Sequence, residues 1–112
     1  MRTVAPSMRL KDRRVLGEFA HRLREKLADA EVWAFGSRAR GDAKKESDFD
    51  VCIILPSHNE GIDDVVREVA WEVAFKHGLV FNTIIFSSSE FREGPMSEST
   101  LVENILKDKV AA

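Results

Sequence analysis

Several things are scarce in this sequence of 112 residues, and each absence removes a class of protein. There is one cysteine, Cys52, so an internal disulfide framework and a cysteine-rich zinc module are excluded and a reducing compartment suits the chain. Proline occurs three times and glycine six times, too rarely for a low-complexity or linker-like chain. The longest apolar run, Val51-Cys52-Ile53-Ile54-Leu55, has five residues, which neither spans a bilayer nor forms the core of a signal peptide. Charge of one sign is also missing. Lys and Arg number 17 against 19 Asp and Glu, for a formal net charge of −2. That balance argues against a general nucleic-acid coat and a polybasic membrane binder, so any bound anion must be held by a local arrangement. The expectation is a soluble, cytoplasmic protein with no membrane association and no strong nucleic-acid binding.

What is present suits one compact domain, with 44% hydrophobic and 32% charged residues. Residues 1–10 lack periodicity and read as a flexible N-terminal segment, leaving 11–112 as a single domain. Asp12 is a candidate N-cap. Val15, Leu16, Phe19, Ala20, Leu23 and Leu27 then recur at helical spacing, which predicts an amphipathic helix to about Asp29. Glu31 to Phe35 and Phe49 to Leu55 read as strands, separated by a polar stretch from Arg38 to Ser47. A second helix carries Ile62, Val65, Val66, Val69, Val73 and Ala74 and ends at Gly78, with Asp63 and Asp64 in its first turn and Lys76 and His77 in its last. Leu79 to Phe86 reads as a third strand, Ser87-x-x-Glu90 as a capping box, Gly94-Pro95 as a break, and Ser99 to Lys109 as a last helix. The order predicts an α/β (α+β) fold, a small mixed β-sheet with flanking helices.

Chemistry concentrates between the first two strands. Gly36-Ser37-Arg38-Ala39-Arg40-Gly41 follows one strand, and Ser47-Asp48-Phe49-Asp50-Val51 opens the next. A glycine at a strand end lets backbone N–H groups approach a phosphate, and the Ser37 hydroxyl can donate to it. Arg38, Arg40, Lys44 and Lys45 add local positive charge. Asp48 and Asp50, two apart on a strand, face the same side at roughly 7 Å along the backbone. Two such carboxylates can share divalent cations, and Mg2+ is commonly held by one or two carboxylates together with substrate phosphates. Taken singly, a Gly-Ser pair is usually a turn and Asp-x-Asp usually a solvated turn or cap; the combination is far more specific.

Across residues 36–51 this pattern resembles the signature of the minimal nucleotidyltransferases, a branch of the DNA polymerase β superfamily, and the remaining elements follow that family's order. The resemblance implies a nucleotidyltransferase fold, with Asp48 and Asp50 as catalytic and metal-binding residues for Mg2+, two ions with nucleotide bound. It also implies ATP or another nucleoside triphosphate as donor, with Gly36 and Ser37 holding the triphosphate. Many members carry a third carboxylate early on the strand after the central helix, where Asn82 stands here; an amide is uncharged and cannot act as a base. Glu90 is a candidate substitute. Small members commonly pair with a helical HEPN protein, often as antitoxin to its ribonuclease toxin, and some add AMP to a tyrosine of that partner. This chain has no tyrosine, so such an acceptor must come from another molecule. Two other readings stay open: a module that neutralises its partner by binding alone, and transfer to a small hydroxylated molecule, for which a second copy of the chain would supply the missing wall.

The remaining conspicuous residues have plain explanations. Arg40-Gly41-Asp42 spells an adhesion tripeptide but falls inside the candidate nucleotide loop. His21, His58 and His77 lack metal-ligand spacing. Cys52 sits inside a strand on the Asp50 face as a small core residue, and Trp33 and Trp71 read as packing residues.

Overall fold

The structure, a computed structural model, describes residues 7–94 and 99–112. Its elements are α1 (Leu10–Lys26), β1 (Glu31–Phe35), α2 (Gly36–Arg40), β2 (Phe49–Leu55), α3 (Glu60–His77), β3 (Phe81–Ser87), α4 (Ser88–Glu93), α5 (Thr100–Asp108) and β4 (Val110–Ala111). The strands form one sheet in the order β3-β2-β1-β4. β1 runs antiparallel to β2 and β4, while β2 and β3 are parallel, so the expected small mixed sheet with flanking helices is present. The α3 crossover between β2 and β3 permits the parallel pair.

Both faces of β2 are covered, which explains its unbroken apolar run. Val51, Ile53 and Leu55 join Val15, Leu16, Phe19 and Leu23 of α1 and Val66, Val69 and Val73 of α3 in one core. Cys52 and Ile54, on the opposite face, pack with Phe86, with Phe91 of α4 and with Val102 and Ile105 of α5. Asp50 shares the alternation of Cys52 and Ile54, so it is a carboxylate on an otherwise apolar face, placed at the end where α4 and α5 leave it open. Burial pushes the Cys52 thiol up to about 12, with the Glu31 charge as a smaller contribution, so this thiol packs rather than reacts.

The local signals largely gave the elements their ends. Asn59 caps α3 by accepting from the Ile62 N–H at 3.1 Å, and Gly78 closes it at φ +65°. Ser87 and Glu90 form the expected capping box, and Ser99 caps α5. Asp12 differs from expectation. Helix α1 begins at Leu10, with Arg9 at its N-cap position and no side-chain cap, and Asp12 is buried inside the first turn. It lies on the same stripe as Val15, Leu16 and Phe19, so it faces inward to a buried partner. The polar stretch after β1 also differs, because α2 forms directly at the strand's end; five residues are too few to show periodicity. The two-residue β4 was equally invisible and exists because α5 returns the chain alongside Trp33 and Ala34 of β1. Of the segment expected to be loose, residues 1–6 lie outside the described residues, as does Pro95; Met8 is buried in the main core at 4% exposure. Among the described residues no helix is long and apolar enough to cross a membrane.

Candidate functional site

Sheet register sets the site. Phe35 pairs with Asp50 across β1 and β2, and Asp50 pairs with Asn82 across β2 and β3. These three residues therefore lie side by side at one end of the sheet, where the chain also leaves β1. At that exit Gly36 takes φ +72°, a left-handed conformation that side chains disfavour. Space demands glycine independently, since a Cβ at this position would strike the Asp50 carboxylate. Gly36 thus brings backbone against the acidic residue and starts α2 in a single step. Alanine at position 36 is expected to cost about 1–2 kcal/mol of stability from the backbone alone. It should also cost at least tenfold in any activity that needs Asp50, because the carboxylate must move; thermal melts alongside turnover check both.

Ser37 lies in the only turn of α2, where its carbonyl accepts from the N–H groups of Gly41 and Asp42 at 3.0 and 3.1 Å. Its hydroxyl makes no hydrogen bond among the described residues and stays available to a ligand. Gly41 ends the helix at φ +84°, and a Cβ there would meet the Ser7 carbonyl oxygen.

Arg38, expected among the cations facing a phosphate, is turned inward instead. Its side chain is 8% exposed and pairs with Asp12, itself 5% exposed, at 3.2 Å. Its remaining donors reach the Ser47 carbonyl at 2.9 Å and the Lys45 carbonyl at 3.3 Å. The guanidinium also lies over the Phe49 ring, 5.9 Å from its centroid. Arg38 therefore fastens the strap of residues 41–48 to α1, and its role is positioning. The Ser47 hydroxyl tightens the same strap by accepting from the Lys44 N–H at 2.9 Å. Lys44 is exposed. The strap delivers Asp48, exposed, to the mouth of β2, one residue before Phe49 donates to the Val80 carbonyl at 2.8 Å.

Asp50 is only half-buried, yet desolvation holds its pKa above the ordinary carboxylate value. A hydrogen bond from the Asn82 amide at 3.1 Å opposes the rise, nearby Asp48 adds to it, and Arg40 draws it down. Arg40 is exposed but tethered, donating to Asp108 at 2.8 Å and to Asp42 at 3.2 Å. Those bonds, Asp108 first, raise its pKa further. Asn82 thus stands beside Asp50 where a third carboxylate was expected by resemblance. Glu90 does not replace it. It belongs to the capping box at the other end of β3, where Ser87 pairs with Leu55, five residues and about 17 Å along the strand from Asn82.

No group of three or more His, Cys, Asp or Glu side chains converges among the described residues. Two neighbouring carboxylates, one open and one held at the sheet end, suit a hard divalent cation that completes its shell with water and substrate oxygens. Asp108, which secures Arg40, was not singled out in the sequence, and Asp12 was read as an N-cap rather than as the partner of Arg38. Asp12 did leave a signal, as a carboxylate on the apolar stripe of an amphipathic helix. Asp108 left none, because it reaches Arg40 across 68 positions.

The family model described as nucleotidyltransferase domain matches residues 16–111. Among related proteins, one from Haemophilus influenzae named "Probable protein adenylyltransferase MntA" is 36% identical over 75 residues, covering 63% of this chain and 63% of that protein. A second, from Methanocaldococcus jannaschii, named "Putative protein adenylyltransferase MJ0604", is 30% identical over 87 residues, or 75% of this chain and 82% of that protein. The chain spans somewhat under two thirds of the length of the first.

Proposed function

The chain belongs to the nucleotidyltransferase domain family, and on that premise we propose that it transfers AMP from ATP to a hydroxyl of a partner protein. The acceptor oxygen bonds to the α-phosphorus, the bond from that phosphorus to the bridging oxygen breaks, and pyrophosphate leaves. The observation that carries this reading is the placement of Asp50 against the backbone of Gly36 at the start of α2, with Asp48 two residues before it and close enough for its charge to act on Asp50. Gly36 and Ser37 would bind the phosphates through backbone N–H groups and the free hydroxyl. Asp48 and Asp50 would hold Mg2+, two ions when nucleotide is bound, supplying charge neutralisation at the reacting phosphate. Arg40 and Lys44 would add positive charge beside the phosphates, while Arg38 holds the strap. Asn82 has no basic group, so of the residues at this sheet end Asp48 and Asp50 are the ones able to receive the acceptor's proton.

A protein acceptor is supported by the names of both relatives. The acceptor proposed is a helical HEPN-type partner, with this chain as the antitoxin of a cytoplasmic pair, and any modified tyrosine belongs to that partner because this chain has none. Asn82 favours one second reading, a module that neutralises the partner by binding with little or no chemistry.

The deciding experiment incubates the purified protein with α-labelled ATP, Mg2+ and a lysate of its own host. A labelled protein band that vanishes with EDTA is the expected result. Label confined to a small molecule would replace the protein acceptor with a small hydroxylated one. No label from any of the four nucleoside triphosphates would overturn the transferase reading in favour of the binding module.

A further inference from the structure

Helix α5 supplies a wall to the site that no motif announces. A cavity of about 350 Å³ opens between α2 and α5, lined by Phe35, Gly36, Arg40, Leu101, Asn104, Lys107 and Asp108. It shares Gly36 with the carboxylate pair, so it continues the candidate active site rather than forming a separate one. The bond from Arg40 to Asp108 fastens the last turn of α5 to α2, and Lys107 is the residue just before that clasp. Lys107 also borders a second cavity on the other side of Arg40, about 380 Å³ in volume. Its ammonium makes no hydrogen bond or ion pair among the described residues, whereas Arg40 is already engaged by Asp42 and Asp108.

We propose that Lys107, assisted by Asn104, forms the subsite for the terminal phosphates of a nucleoside triphosphate whose α-phosphate lies at Asp48 and Asp50. The inference rests on the nucleotidyltransferase reading above. The chemistry of the lining favours phosphate over base or ribose. The one carboxylate of the lining, Asp108, is already bonded to Arg40, so the charge left unmatched among the described residues is the Lys107 ammonium, with the Asn104 amide able to donate beside it. The one aromatic residue of the lining, Phe35, is buried and presents no open face for stacking. A lysine whose charge is not neutralised by a partner loses little on meeting an anion, and the charge-assisted bond it forms is a strong one.

Calorimetric titration of ATP and of AMP, both with Mg2+, into the wild type and into the Lys107→Gln, Lys107→Arg and Asn104→Ala variants tests the assignment. Lys107→Gln is expected to weaken ATP binding by about five- to tenfold and AMP binding by less than about twofold, with Lys107→Arg recovering most of the loss. Asn104→Ala is expected to show the same selectivity with a smaller loss. Because Lys107 is exposed on the surface, all three variants should melt with the wild type. Equal weakening of ATP and AMP, or unchanged ATP affinity in Lys107→Gln, would overturn the subsite while leaving the transferase reading standing. A wild type that binds neither nucleotide would overturn the transferase reading and this inference with it.

Discussion

Replacing Asp50 with Asn should lower nucleotidyl transfer by about three orders of magnitude while leaving the fold as stable as before or slightly more so. The two effects separate because the carboxylate is placed against the interest of stability. Its raised pKa has desolvation as the largest cause, with the Asp48 charge adding to it. A native pKa above the unfolded value means that the folded protein binds this proton the more tightly. The stability gained from protonation is fully present below the unfolded pKa and is lost as pH rises through the higher native one. At neutral pH the ionised group is a load on the fold. Asparagine removes that load and keeps an oxygen to accept from Asn82. Melting curves in metal-free buffer should therefore place Asp50→Asn level with or above the wild type at pH 7, with the difference shrinking as pH falls through the native pKa. A variant that melts several degrees below the wild type at pH 7 would show that Asp50 supports the fold, and the loss of transfer would then no longer report on chemistry alone.

The parts of this site that the sequence disclosed are those carried by short-range pattern. Gly36, Ser37, Asp48 and Asp50 fall within residues 36–51, where the spacing read from the sequence put both carboxylates on one strand; the structure keeps Asp50 on β2 and leaves Asp48 one residue before the strand begins, while Gly36 takes the positive φ that its identity signals. Strands β1 and β2 were legible for the same reason, and Ser87 and Ser99 marked the starts of α4 and α5, whereas α3 begins at Glu60, capped by Asn59 and running through Gly61, where the sequence suggested a loop. Elements too short for a period, α2 and β4, left nothing to read. Arg38 shows the second limit. Its spacing from Gly36 suggested a phosphate ligand, but a side chain on a one-turn helix is aimed by what packs beneath it, and here Asp12 lies 26 residues away. Asn82 stands where the family resemblance puts a third carboxylate, and the parallel register of β2 and β3 places it beside Asp50. The wall formed by α5 depends wholly on tertiary return of the chain, and an amphipathic helix near a C-terminus carries no mark of which cavity its polar residues will face.

Removing the Asp12 carboxylate should be the most destabilising single change considered, even though this residue touches no part of the carboxylate pair. Asp12→Ala would leave the buried Arg38 guanidinium without its counter-charge, which costs about 3–5 kcal/mol in a domain whose whole stability is on the order of 5–15 kcal/mol. The pair is not ideally made, since Asp12 Oδ2 is buried without a hydrogen-bond partner. A well-packed apolar replacement of both residues should therefore be tolerated far better than the loss of one. Asp12→Leu with Arg38→Met is expected to recover most of the stability lost in Asp12→Ala, giving a coupling energy of more than 1 kcal/mol in a denaturant-based double-mutant cycle. Activity should not return with it. The carbonyls of Lys45 and Ser47 lose their donors in the double variant, the strap loosens, and Asp48 is no longer delivered to a fixed place beside Asp50. A double variant restored in both stability and transfer would show that the strap holds its course without Arg38, and that the buried ion pair serves packing alone.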